Sequence, residues 1–111
     1  MKINGQKLDS IMLELGHRDN ILGTGYLQIG AGLYERGMSM TKELYPGIAK
    51  AVGSTPSRVE RAMRHSIETA WDRGSMEAQL KYFGHSINPG RGVPTVGEYI
   101  ARITRVCADE D

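Results

Sequence analysis

Residues 45–71, YPGIAKAVGSTPSRVERAMRHSIETAW, constrain this chain more than any other stretch. Helical spacing divides them into two short amphipathic helices separated by a turn of Gly53, Ser54 and Thr55. Leu44, Ile48, Ala49 and Val52 form the apolar stripe of the first helix. Gly53 is its stop, because glycine tolerates the left-handed backbone that ends many helices. A positive φ is predicted there, in a reversal with little room for side-chain bulk. Thr55 can cap the next helix and Pro56 fits its first position, whereas Glu60 lies too far along to complete a capping box. Val59, Ala62, Met63, Ile67 and Ala70 make the second stripe. Small Ala49, the reversal at Gly53 and a plug at Val59 are what a helix-turn-helix needs. The opposite face of the second helix shows Ser57, Arg58, Glu60, Arg61, Arg64, His65 and Glu68. Three arginines and a histidine on one short, docked helix suit a reader of the DNA major groove.

The flanks supply the rest of an all-α domain. Residues 7–15 read as a helix that buries Leu8, Ile11, Met12 and Leu15 and ends at Gly16. HRDNILGTG reads as a loop, with Asp19, Asn20 and Gly23 as turn formers. A second helix over 26–36 would bury Leu27, Ile29, Leu33 and, at its margin, Tyr34, and stop at Gly37. Its Gly30 and Gly32 cost about 1 kcal/mol each relative to alanine. A close helix crossing would explain them; local flexibility is the rival reading. The helix-turn-helix follows over 41–52 and 56–72, ended by Gly74, and Ser75 caps a fifth helix over 76–83. GHSINPGRGVP is a loop rich in glycine and proline. Thr95, with Glu98 three residues on, is a capping box for a last helix over 96–108. That helix buries Val96, Ile100 and Ile103, with Tyr99 and Val106 near its edges. No segment alternates apolar and polar residues for long, so about six helices are expected around the helix-turn-helix.

A chain of 111 residues suits one domain with a single core, here spanning roughly residues 8–106. No apolar run approaches the roughly 20 residues that cross a bilayer, and MKINGQKLDS lacks a signal-peptide core, so a cytoplasmic location is expected. Net charge is only +1, so its distribution has to decide about nucleic acid. Lys42, Lys50, Arg58, Arg61 and Arg64 against Glu43 and Glu60 give residues 41–65 a balance of +3. Residues 1–40 balance to zero, with four charges of each sign. Residues 66–111 carry five basic and seven acidic side chains, −2, and the terminal Asp109, Glu110 and Asp111 should point away from phosphate. The positive charge sits on the helix-turn-helix.

Several other features carry less. The lone Cys107 cannot form an intramolecular disulfide and reads as the apolar end of a helix. Trp71 reads as core packing, not a stacking platform. In GTGYLQIGAG the third glycine of a G-x-G-x-x-G loop would fall at Gln28, and no strand precedes Gly23, so nucleotide binding is not supported. His17, His65 and His85 are scattered, without the i, i+4 spacing of a ligand pair. No metal, no cofactor and no enzymatic activity are expected. For the arginine face, the plain reading is a solvated surface laced by Glu60–Arg64 and Arg64–Glu68 pairs at i, i+4.

TPSRVERAMRHSIETAWDRG closely resembles the recognition-helix region in a known family, the C-terminal effector domain of the sporulation master regulator, the stage-zero response regulator A. MTKELYPGIAK is similar to the helix before it, LDSIMLELG to the first helix of that domain, and FGHSINPGRGVPTVGEYIA to its last loop and helix. The resemblance covers roughly Leu8 to Val106; the family is less glycine-rich in the 26–36 helix. It implies sequence-specific binding to double-stranded DNA, with Arg58 and Arg61 meeting base edges, most naturally guanine O6 and N7. Glu60 could accept from a cytosine amino group, and Arg64 and His65 would serve backbone or base. Thr55 and Ser57, at the helix N-terminus, would donate to phosphate alongside free backbone N–H groups. Arg91, between glycines in NPGRGVP, could reach a neighbouring phosphate, or be plain loop surface.

The chain is therefore expected to be a transcription regulator that inserts residues 56–71 into the major groove. The resemblance implies tandem sites, with copies head to tail and touching through the last helix. The protein should be monomeric or weakly dimeric in solution. Only seven residues precede Leu8, too few for the family's receiver domain, so the chain is expected to be either an excised domain or a freestanding relative, and in both cases activation by aspartyl phosphorylation is not carried over. The alternative is a protein-interaction module that recruits RNA polymerase or another regulator through the first two helices. A non-specific architectural protein fits poorly with near-neutral charge.

Overall fold

The computed structural model describes residues 3–84 and 92–108. Arg91, His85 and the acidic residues 109–111 lie outside the described residues. Six α-helices and one π-helical turn make up the regular structure there, and no helix is long and apolar enough to cross a membrane.

The first helix, α1 (Gly5–Glu14), starts at Asn4, whose Oδ1 accepts the Lys7 N–H at 3.1 Å. It buries Leu8, Ile11 and Met12, with Leu15 sealed just beyond its end. The second, α2 (Leu22–Leu33), corrects the sequence reading at both ends. It begins four residues before the expected Tyr26, inside the stretch read as a loop, and stops three before Arg36. The buried stripe is Gly23, Thr24, Leu27, Gly30 and Ala31. Three of these five are glycine or alanine, so the stripe gives little hydrophobic signal. Tyr34 is already extended, Leu33 is exposed, and Gly37 belongs to a separate turn.

The expected single helix over 41–52 is two pieces. A π-helical turn, Met40–Leu44, runs into α3 (Tyr45–Val52). Ser39 caps the turn through the Lys42 N–H, and Glu43 returns a carboxylate to the Ser39 N–H, both at 3.1 Å. Pro46 has no N–H and its ring would crowd the carbonyl four residues back. The wider turn, with Leu44 N–H on Ser39 O and Tyr45 N–H on Met40 O, takes up that strain.

Gly53 ends α3 with φ +69 and ψ 41, the predicted left-handed conformation. The Ser54 N–H reaches Ala49 O at 3.0 Å, the closing bond of a glycine-ended helix. The expected crowding is absent: a β-carbon on Gly53 would meet nothing within 4 Å. Thr55 caps α4 (Pro56–Arg73), which buries Val59, Met63, Ser66, Ile67 and Ala70. Val59 is sealed and Ala49 nearly so, as the plug and the small residue were expected to be.

The central helix α4 packs on α2, α3 and α6, most extensively on α2. The α2 crossing is set by backbone. A β-carbon at Gly23 would stand 1.9 Å from the Ala62 carbonyl oxygen. Gly30 is also tight, 3.1 Å from Ile48 Cδ1, while Gly32 faces open space, so the close crossing explains one of the two expected glycines. Ser75 caps α5 (Met76–Phe83), and Thr95 and Glu98 form the predicted capping box at α6 (Val96–Cys107). Tyr99, expected near an edge, is fully buried. An isolated antiparallel bridge joins Ile3 to Ala108, and Asn4 N–H donates to Cys107 O, tying the start of α1 to the end of α6.

Gly53→Val should destabilise the domain by about 1–3 kcal/mol through backbone strain alone. Gly23→Ala adds less bulk yet should cost at least as much, because α2 must move off α4. Denaturant unfolding of both variants checks this, and wild-type stability in Gly23→Ala would contradict the crossing.

Candidate nucleic-acid interface

The outward face of α4 is built by its inward one. With Val59, Met63, Ser66, Ile67 and Ala70 fixed in the core, 3.6-residue spacing leaves Ser57, Arg58, Arg61, Arg64, His65 and Glu68 exposed on the other side. Glu60 is half-buried beside them. The structure therefore brings Arg58, Arg61, Arg64 and His65 together on one solvent-facing surface. Arg91 lies outside the described residues.

Of the two pairs at i, i+4 offered by the sequence, Glu60–Arg64 forms: Arg64 Nε donates to Glu60 Oε1 at 3.1 Å and Oε2 at 3.3 Å. The carboxylate that could accept from a cytosine is thus held by an arginine in the free domain. At the N-terminus the supply of free backbone donors is narrower than expected. Pro56 has no N–H, and the Arg58 N–H donates to Thr55 Oγ1 at 3.3 Å. Among the first-turn donors this leaves the Ser57 N–H, with the hydroxyls of Thr55 and Ser57 still able to donate.

Beneath α4 lies a buried polar chain that the sequence reading missed. His17, 4% exposed, sits in the turn after α1. Its Nε2 is 2.6 Å from the Tyr99 hydroxyl and its Nδ1 is 3.0 Å from Ser66 Oγ. Ser66 Oγ in turn lies 3.1 Å from Thr24 Oγ1. The chain links the α1–α2 turn, α2, α4 and α6. One signal was available: Ser66, three residues after Met63, is a hydroxyl on the buried stripe. Trp71 packs edge-on against Phe83 and Tyr99, at 5.2 and 6.3 Å between ring centres, a core role as expected. Cys107 is sealed, and burial pushes its thiol pKa up, away from reactive thiolate.

A family model for the C-terminal domain of the sporulation initiation factor Spo0A matches residues 8–106. The chain belongs to that family. It is accordingly a DNA-binding effector domain of a transcription regulator, of a non-enzymatic family. In this Spo0A-type domain the exposed arginines and the buried histidine lie on opposite sides of α4, so the outward face and its support can be perturbed separately.

The buried chain makes the domain pH-sensitive. Burial lowers the His17 pKa from 6.5 to about 4. A neutral imidazole offers one donor and one acceptor, which the Tyr99 and Ser66 hydroxyls match in either direction. Protonation would make both nitrogens donors and leave the Tyr99 hydroxyl proton without its acceptor. The unfolded chain binds this proton already near pH 6.5, so between there and about 4 it holds more protons than the folded domain. Stability from His17 is therefore complete above pH 6.5 and drains away as pH falls toward 4, by roughly 3 kcal/mol in all. Unfolding free energy measured from pH 7 to 4 should fall steeply in the wild type, and more shallowly in His17→Gln. Equal slopes would contradict the assignment.

Proposed function

We propose that α3, the Gly53–Thr55 turn and α4 act as a helix-turn-helix that lays α4 in the major groove of double-stranded DNA. The observation that carries this reading is the register of Arg58, Arg61, Arg64 and His65 along the exposed face of a helix whose other face is locked into the core. Arg58 and Arg61, with no ion pair among the described residues, are assigned to guanine edges, where a forked donor meets two acceptors. Arg64 and Glu60 arrive as a pair, and His65 serves backbone or base. Thr55 and Ser57 face the phosphates at the helix start, and Arg91 is assigned to a neighbouring phosphate.

A second reading is supported by Leu13 on α1 and Leu22 on α2, which are 74% and 66% exposed. Large apolar side chains on the first two helices would suit a protein partner such as RNA polymerase. The two readings differ in what Arg61 does. Arg61→Ala should cost about 1–3 kcal/mol on a site selected from a random duplex pool, and relax preference at one or two base pairs. An equal loss on every sequence would make Arg61 a phosphate contact, and no loss on any would favour the protein-binding reading.

For assembly, we infer a monomer or weak dimer in solution that pairs head to tail on tandem sites. The last helix, α6, spends Val96, Tyr99, Ile100, Ile103, Thr104 and Cys107 on the core. Only a narrow strip around Ala101 and Arg105 remains for another copy, too little for a coiled coil. Two correctly spaced sites should bind cooperatively, and shifting them by half a helical turn should abolish the gain. A stable dimer by sedimentation without DNA would contradict this picture.

A further inference from the structure

Between the π-helical turn and the first turns of α4 lies a cleft of about 340 Å³, lined by Thr41, Tyr45, Pro56, Ser57, Glu60, Arg61 and Arg64. Tyr45 forms its wall and is only 8% exposed; its hydroxyl bonds no described residue and is not among the fully buried polar atoms, so it keeps contact with solvent. Tyr45 and Glu60 line the same cleft. Burial and the Glu60 charge both raise the Tyr45 pKa, so its hydroxyl stays a donor at neutral pH.

We propose that this cleft seats one backbone phosphate of the DNA duplex, with the Tyr45 hydroxyl donating to it from the wall and Thr41 and Ser57 from the rim. The proposal rests on the reading that α4 enters the major groove. The cleft opens at the N-terminus of an 18-residue helix, where the Ser57 N–H is free and the helix dipole favours an anion. Its one carboxylate, Glu60, is held by Arg64, and Arg61 adds a second guanidinium, so the lining charge is net positive. A phosphate fixed here would set how far α4 slides along the groove and so which bases Arg58 and Arg61 meet.

Tyr45→Phe removes one oxygen that bonds nothing in the protein, so its melting temperature should match the wild type. Its affinity should fall about ten-fold, on the selected site and on a scrambled duplex alike. Single methylphosphonate substitutions along the selected duplex supply a second measurement. One neutralised position should weaken the wild type and have no further effect on Tyr45→Phe. Wild-type affinity in Tyr45→Phe, or a scan in which every position affects both proteins equally, would overturn the phosphate seat while base preference stays intact. A wild type that selects no duplex sequence would overturn the seat together with the groove reading.

Discussion

Gly23 lets α2 lie so close to α4 that a β-carbon there would sit inside the Ala62 peptide group, 1.9 Å from its oxygen. That proximity places the next residue, Thr24, within reach of Ser66, and Ser66 within reach of His17 and, through it, Tyr99. Fully burying a large apolar side chain is worth about 1.5–3 kcal/mol, and a satisfied hydrogen bond about 0.5–1.5. The core of Leu27, Ile48, Met63, Ile67, Ile100 and Ile103 therefore supplies most of the stability. The polar chain has a different effect. Apolar contacts tolerate small sliding, whereas hydrogen bonds of 2.6 to 3.1 Å fix the rotation and height of α4 against three neighbours. The direction in which the arginines project is set from below.

The exposed face contributes little to that stability. The Glu60–Arg64 pair is solvent-accessible, with side chains 32% and 56% exposed, and such pairs are worth about 0–1 kcal/mol. It can break or persist on a partner at small cost. Its larger effect is to pair the Glu60 carboxylate within residues 41–65, which carry +3 against a chain total of +1. Charge is concentrated where the caps and core leave the helix free to present it.

Features set by residues adjacent in sequence were legible beforehand. The left-handed Gly53, the Thr55 cap, the Thr95–Glu98 box and the inward stripe of α4 each follow from a few neighbouring residues, and each is present. Features set by residues distant in sequence were not. The extent of α2 depends on fitting glycines against α4, and a glycine stripe looks like a loop when read alone. Tyr99 looked like an edge residue because its partners lie on other elements: His17, 82 residues away, and the rings of Trp71 and Phe83. The π-helical turn is the exception, a local feature that was missed: it answers to Pro46, which propensity treats only as a permitted first-turn residue. Of the site, the arginines were legible as a face. The Glu60–Arg64 pairing was visible as spacing and the missing N–H as Pro56 itself, whereas the use of the Arg58 N–H by Thr55 required the cap geometry.

The central claim is that this domain meets DNA with the outward face of α4 while α2 and the His17 chain hold that helix in place. The most direct measurement is backbone amide mapping by NMR as a duplex carrying the selected site is added. The account predicts the largest shifts from Thr55 to Glu68 and around Tyr45, with α1 and α5 nearly unchanged. Shifts centred on α1 and the start of α2, around Leu13 and Leu22, with α4 silent would contradict it.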